Sequence, residues 1–507
     1  MGPASPIGLI RHVPVSHLGA PVKNPGRRVE EKSKQIVTTI PAMTERTFAG
    51  PWRARLSSIA QEARDTARRI MVGDTDRTRT QRAALSAFAI RILSAAIAYL
   101  SQVILARWMG SFEYGAFVFV WVWVLILGGV SNLGLNIAMM RFVPDYRARG
   151  DLAALRGLLL GGRLFVLATS TVIAGLGLLG LWLFSAKLAH HYVLPAYLAL
   201  ICIPVYALTD LQDGVGRARQ WIGVGLVPPY ILRPLLILAS MIGAVWLGLP
   251  MTAPTAAVAA IVATWITAAV QFILLQLRLR TEGPAGPRTY HFGFWLGTSL
   301  PILMITGFDL AVQNTDVIFL SIYASASDVG IYFAGLKTMS LIAFVHYAVA
   351  SACANQFTAL HARGEHGELA RFAQETVRWT FWPSLAGAGV ILALGKPLLW
   401  LFGPEFTAAY GPMFVLAAGL LVKSAVGPAE YLLNMLGQQR MCGGVLVSTA
   451  ALNIGLNYLF VPPFGLWGAA TATATTLTVA AILYAVLARR LLGIDMTIWG
   501  AVRAARA

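Results

Sequence analysis

Charge is scarce in this chain. Asp, Glu, Lys and Arg together make up 12% of its 507 residues, against about 25% in a soluble globular protein. Acids are scarcer still, with 22 Asp and Glu against 40 Lys and Arg. Cysteine occurs only at Cys202, Cys353 and Cys442, isolated and without a CxxC pair, which excludes a disulfide scaffold. No GxxxxGK[ST], HExxH or GxSxG motif is present, so the sequence offers no ATPase loop, zinc-protease helix or serine nucleophile elbow. Short alternating strands of the kind that build an outer-membrane barrel are also missing.

Apolar residues are abundant. They form 57% of the chain, and the mean hydropathy is +0.67. Apolar runs recur at a length of ~18–20 residues or more, enough to cross ~30 Å of hydrocarbon. Twelve spans are predicted, at about 84–106, 115–139, 157–184, 194–212, 224–248, 253–276, 294–323, 330–357, 378–402, 411–436, 443–461 and 465–488. The fold class is an all-α polytopic membrane protein, which excludes a soluble enzyme and a transcription factor. The net charge of +18 reads as basic cytoplasmic loops and membrane-lipid contact rather than as a nucleic-acid surface.

The loops alternate in charge. One set carries Arg141, Arg147, Arg149 and Arg156, then Arg217 and Arg219, then Arg278, Arg280 and Arg288, then Arg363 and Arg371, then Arg440, then Arg489 and Arg490. The other carries only Arg107 and Lys187, with Lys396 just inside a span. The positive-inside rule makes the basic set cytoplasmic, so both termini are expected in the cytoplasm.

Residues 1–82 read as a basic cytoplasmic extension, with fifteen Lys and Arg against seven acids. Its first fifty residues have the composition of disorder; Met43 and Met71 offer later start sites. No apolar run there resembles a secretory leader. Between 52 and 72, Trp52, Leu56, Ile59, Ala63, Ala67 and Ile70 share a helical face, which fits either an amphipathic helix on an anionic leaflet or a solvated helix. Residues 491–507 read as a cytoplasmic tail.

The spans contain a repeat. FEYGAFVF (112–119) and SDVGIYFA (327–334) each place an acid two residues before a glycine, at a spacing of 215. The following loops share an Ala-Arg-Gly triplet, at Ala148 and Ala362, 214 apart. The chain thus divides into an N-lobe, 83–292, and a C-lobe, 293–490, of six helices each. An even number of helices makes the two lobes parallel repeats, the arrangement behind alternating access.

Charges inside spans are the functional signal, because each costs about 2.5–3.5 kcal/mol at the bilayer centre on the translocon scale. Arg91, Arg163 and Arg233 lie in the first half; Asp309, Asp316, Lys337, Lys423 and Glu430 lie in the second. Asp316 and Lys337 are expected to form a structural ion pair across adjacent helices. Lys423 and Glu430, seven apart on one helix, are too far apart in height to pair. The acids inside first-half spans are confined to Asp210 and Asp213 near the cytoplasmic end, so the arginines are left to bind an anion, for which a guanidinium fork suits phosphate. Arg91, Arg163, Arg233 and Lys423 are therefore the candidate pyrophosphate ligands. Asp309, Asp316 and Glu430 are candidate ion-coupling groups, with His346 as a candidate partner of Asp309. No catalytic residue, metal site or cofactor is expected: Asp74-Thr75-Asp76 lacks a nucleotide-binding domain around it, and His190-His191 lies alone on a short outer loop.

Several ordered segments resemble the polysaccharide-transport (Wzx-type) flippases of the multidrug/oligosaccharidyl-lipid/polysaccharide exporter superfamily. They are RILSAAIAYLSQVILARWMGSFEYGAFVFVWVWV (91–124), LGLNIAMMRFVPDYRARGDLAALRG (133–157), PPYILRPLLIL (228–238), NTDVIFLSIYASASDVGIYFAGLK (314–337), GKPLLWLFGPEFTAAYGPMFVLAAG (395–419) and FGLWGAATAT (464–473). The resemblance implies a V-shaped, two-lobed transporter in a bacterial inner membrane. Its substrate would be an undecaprenyl-pyrophosphate-linked oligosaccharide for exopolysaccharide, O-antigen or capsule, and its partners a polysaccharide polymerase and co-polymerase. The alternative on the same fold is a multidrug or cation antiporter. A membrane-embedded glycan polymerase or ligase would carry a large outer loop, absent here. The long N-terminal extension departs from the family pattern.

Overall fold

The computed structural model describes residues 76–280 and 286–506. The expected disorder over 1–50, the helix over 52–72 and Asp74 lie outside the described residues. Those residues are helical, with no strand among them. Among the described residues, eight helices are long and apolar enough to cross a membrane, or up to ten if each bent pair is one span.

The first helix, α1 (Asp76–Ser131), is two helices joined at Gly110, where the backbone is non-helical. The Tyr114 hydroxyl donates to Gln102 Oε1 at 2.8 Å. In a straight helix those residues would stand ~18 Å apart along the axis, so the chain reverses at Gly110. The same holds at Gly465 inside α15 (Gln439–Leu492): Asn453 Nδ2 donates to Thr476 Oγ1 at 3.2 Å across the bend. With both reversals and both bent pairs, the helices are compatible with twelve crossings.

Between these lie α2 (Leu135–Ala148), α3 (Leu152–Phe184), α4 (His190–Leu200), α5 (Ile203–Ala218), α6 (Ile222–Val227), a π-turn over Pro228–Leu232, α7 (Arg233–Trp246) and α8 (Ala253–Arg280). The second half holds α9 (Phe292–Tyr323), α10 (Ala326–Ala362), α11 (His366–Ala393), α12 (Gly395–Phe402), α13 (Tyr410–Val426) and α14 (Ala429–Met435). A last helix, α16 (Ile498–Arg506), follows α15 within the expected C-terminal tail.

Several predicted single spans are broken. The span at 115–139 is interrupted after Ser131, where Leu133 and Gly134 adopt positive φ. The spans at 194–212 and 378–402 are bent pairs, by 51° and 62°. The span at 411–436 breaks at Gly427 and Pro428, so Lys423 and Glu430 do not share one helix as expected.

Repeat symmetry is visible at the backbone. In both Ala-Arg-Gly triplets the glycine takes positive φ, 72° at Gly150 and 73° at Gly364, a conformation cheap only for glycine. Asp151 N then bonds Tyr146 O at 2.9 Å, and Glu365 N bonds Leu360 O at 3.2 Å. The two turns are built alike.

Packing differs between the two ends of the bundle. At the end carrying Gly110, Ser325 and Gly403, one apolar core runs through both halves, from Leu105, Tyr114 and Phe117 to Val329, Tyr332, Phe402 and Phe406. At the basic-loop end the core is divided. One cluster gathers Phe142, Leu158, Leu211 and Leu275; another gathers Phe357, Leu369, Leu432 and Tyr484. The helices are thus joined at one end and separated at the other. Helix α9 belongs partly to each side: Trp295 is buried in the first-half cluster and donates to Tyr146 Oη at 2.9 Å, while its far end packs Val317 and Leu320 into the joined core.

Candidate anion site between the two halves

A cavity of about 410 Å³ opens where α1, α7 and α10 meet. The π-turn begins with two prolines, which supply no N–H to an ordinary helical ladder, and it ends directly at Arg233. It positions Tyr230 and Arg233 on the cavity wall. Pro234 follows directly, inside a helical run from Ile222 to Trp246, where its missing N–H removes one backbone hydrogen bond beside the π-turn.

Both Arg91 and Arg233 line this cavity. Arg91 lies over Tyr230 at 4.7 Å and over Tyr347 at 5.9 Å; the second ring belongs to the other half. Arg233 lies over Tyr206 at 4.8 Å and Trp121 at 5.7 Å. Aromatic faces hold a guanidinium without neutralising it, so its charge stays available to an anion.

An adjoining cavity of about 270 Å³ shares Ala95, Ala98, Gln102, Trp121 and Phe344 with the first and adds Lys337. Lys337 does not form the expected ion pair. The Asp316 carboxylate, 2% exposed, accepts instead from Tyr332 Oη at 2.6 Å and Thr473 Oγ1 at 3.4 Å. The reason is register. The turn between α9 and α10 lies at Ala324 and Ser325, so position 316 faces 332, while 337 faces the level of 311. The Lys337 ammonium sits 4.7 Å from the Phe333 ring centroid and within electrostatic reach of Asp316.

Arg163 is not brought to this site. It is 7% exposed and lies 5.1 Å from Phe272, and its Nε and Nη2 have no hydrogen-bond partner. Of the four candidate anion ligands, the cavity gathers Arg91 and Arg233, and the adjoining cavity adds Lys337 from the opposite half. Nor are the arginines free of acids. Asp213 pairs with Arg217 at 2.9 Å and lies within reach of Arg91. Asp210 accepts from Asn132 at 3.0 Å and Asn136 at 2.7 Å and lies within reach of Arg233. Helix α5 carries both acids closer to the cavity than their sequence position suggested.

The remaining second-half charges form a separate group. Lys423 acts electrostatically on Asp309, Glu430 and His346. Asp309 accepts from Gln313 Nε2 at 2.6 Å, one turn along its own helix, rather than from His346. Lys423 does not line the arginine cavity. Among the described residues, no group of three or more His, Cys, Asp or Glu could hold a metal ion. His191 packs against Phe112 and Tyr192 rings.

Charge in apolar spans marked Arg91 and Arg233, but the aromatic cradle and Gln102 were missed. A signal existed: Tyr230 precedes Arg233 by three residues, a spacing that puts both on one helical face. Trp121, Tyr206 and Tyr347 come from three other helices, and no local pattern links them.

A family model described as "Polysaccharide biosynthesis protein" matches residues 82–353, more than half of the chain. The "Probable low-salt glycan biosynthesis flippase Agl15" of Haloferax volcanii is 26% identical over 175 residues, 34% of this chain and 36% of that protein. The chain thus matches little more than a third of that relative's length. Among solved structures, the inward-facing conformation of a multidrug resistance MATE family transporter of the MOP superfamily superposes with a TM-score of 0.65 at 14% identity, over 79% of this chain and 94% of that one. The lipid II flippase MurJ, in an inward closed conformation, gives 0.62 at 14% identity, over 80% and 87%. At such identities the likeness is one of fold.

Proposed function

The chain belongs to the polysaccharide biosynthesis protein family, and from that premise we propose that it is a flippase for lipid-linked oligosaccharides. The substrate in this reading is an undecaprenyl-pyrophosphate-linked repeat unit, moved from the cytoplasmic to the outer leaflet of a bacterial inner membrane. Both termini are cytoplasmic, and the N-lobe (83–292) and C-lobe (293–490) rock against each other. The single observation that carries the reading is the cavity in which Arg91 and Arg233 of the first half open toward Lys337 of the second.

A pyrophosphate leaving water needs replacement partners for its charge. Charge-assisted hydrogen bonds are worth about 1.5–3 kcal/mol each. Two guanidinium groups in aromatic cradles and an ammonium from the facing half supply them without closing on an acid. An anion held between the halves couples binding to their approach. The divided core at the basic-loop end fits a state open to the cytoplasm, where the substrate is made. The isoprenoid tail stays in lipid and the sugars ride in the cleft. Coupling to an ion gradient through Asp309, Asp316 or Glu430, and handover to a polymerase and co-polymerase, complete the proposal. The chain acts as a transporter rather than an enzyme, with no cofactor.

Purified protein in vesicles, given a fluorescent undecaprenyl-pyrophosphate disaccharide on one face, tests this directly. Flipping that falls on Arg91→Ala and Arg233→Ala supports it. Export of a lipophilic cation with no movement of the labelled lipid would favour the antiporter reading, for which Asp210 and Asp213 near the arginines are the relevant acids.

A further inference from the structure

Helix α16 presents two different faces. Ile498 and Ala501 are buried, together with Ile494 and Met496 just before the helix, in the apolar cluster at the basic-loop end. Their neighbours there include Leu369 and Ala373 of α11 and Ala488 of α15. The helix therefore packs beside the last turns of the spans at the basic-loop end. Its start is fixed: Asp495 Oδ1 accepts from Thr497 N at 3.1 Å and Thr497 Oγ1 at 2.7 Å, and Gly500 N donates to Thr497 Oγ1 at 3.2 Å. This turn sets the rotation of the helix, and so decides which residues point outward.

The outward face carries Trp499, 74% exposed, and Arg503, exposed and one turn further on. Arg489 and Arg490, also exposed, end α15 directly before this segment. None of the three arginines has an acidic partner among the described residues. An indole that stays out of a core available beside it, next to uncompensated guanidinium groups, is the composition of an interfacial anchor. Indole rings settle at head-group level, and juxtamembrane arginines are drawn to anionic leaflets.

We propose that the Trp499–Arg503 face of α16, with Arg489 and Arg490, is a binding surface for anionic phospholipid head groups of the leaflet in which the basic loops lie. The surface ties the end of the chain, and through the α11 contact the second-half helices, to that leaflet. It is separate from the Arg91–Arg233 cavity and does not depend on what that cavity carries.

The test uses the full chain with Trp499→Cys carrying an environment-sensitive NBD label. Cys202, Cys353 and Cys442 are buried, so the label is site-selective. In vesicles of phosphatidylcholine with phosphatidylglycerol, the emission should shift to the blue and be quenched by head-group nitroxide lipids. In phosphatidylcholine alone both effects should be weaker. Adding Arg489→Gln, Arg490→Gln and Arg503→Gln to the labelled protein should abolish the difference between the two vesicles. Native mass spectrometry of the unlabelled protein should show retained phosphatidylglycerol falling in the triple variant. Equal emission in the two vesicle types, or a water-like emission in both, overturns the proposal. So does unchanged lipid retention in a triple variant of normal melting temperature.

Discussion

Gly115 and Gly330 face each other across the joined end of the two halves. A Cβ on Gly115 would overlap the Ala326 carbonyl, and one on Gly330 would meet the Ser111 carbonyl. The contacts are reciprocal under the 215-residue repeat, which relates Ser111 to Ala326 as it relates Gly115 to Gly330. The seam is closed backbone to backbone because neither helix has a side chain there. Glu405 Oε1 accepts from Ser111 N at 3.3 Å, and Arg107 donates to the Trp400 carbonyl at 3.1 Å, which adds two polar ties at the same level.

Widening this seam should bias the two halves toward opening on that side. Overpacking costs about 1–3 kcal/mol, a factor of roughly five to 150 in the closed-to-open ratio. Gly115→Val is expected to raise the rate at which an impermeant thiol reagent, applied from outside, labels a Ser340→Cys reporter in the cavity. Unchanged labelling would mean that the seam does not gate access.

Arg233→Ala is expected to abolish lipid flipping while leaving expression and melting temperature near those of the parent. Arg233→Lys should recover only part of the rate, because a point charge replaces a planar fork. Arg163→Met, outside the cavity, should lower flipping much less. If Arg233→Ala transports normally, the arginine is a packing element and the anion reading fails.

Lys337 and Tyr332 should separate cleanly. Tyr332→Phe leaves the buried Asp316 carboxylate without its shortest side-chain hydrogen bond, at a cost of about 1–3 kcal/mol, measured as a lower melting temperature in detergent. Lys337→Met should keep stability and lose transport. The opposite pattern would restore the Asp316–Lys337 ion pair as the structural element.

Ion coupling is tested at Asp309. Asp309 lies exposed on α9, with its carboxylate bonded to Gln313 and within reach of Lys423. Asp309→Asn is expected to make flipping indifferent to an imposed proton or sodium gradient. Transport that keeps its gradient dependence in this variant would move the coupling site elsewhere.

Topology can be read with reporter fusions. Fusions after residues 150, 284 and 440 should report cytoplasm, and fusions near 189 and 407 the outer side. An outer signal at 284 would break the twelve-crossing reading.

The sequence by itself determined the membrane setting, the helical class and the duplication, because these rest on hydropathy, loop charge and spacing, all local quantities. It also marked Arg91 and Arg233, since any charge in an apolar span costs enough to need a reason. Tertiary structure decided the rest. The partner of Asp316 depended on where the α9–α10 turn falls; moving that turn by a few residues changes which side chain it meets. Whether an arginine lines the cavity or is walled into one half depended on helix rotation, which separated Arg233 from Arg163 although both are single charges in apolar spans. The closeness of Gly115 to Gly330, and of Lys337 to the arginine cavity, joins residues more than a hundred positions apart. Only the packing of the two halves creates those distances.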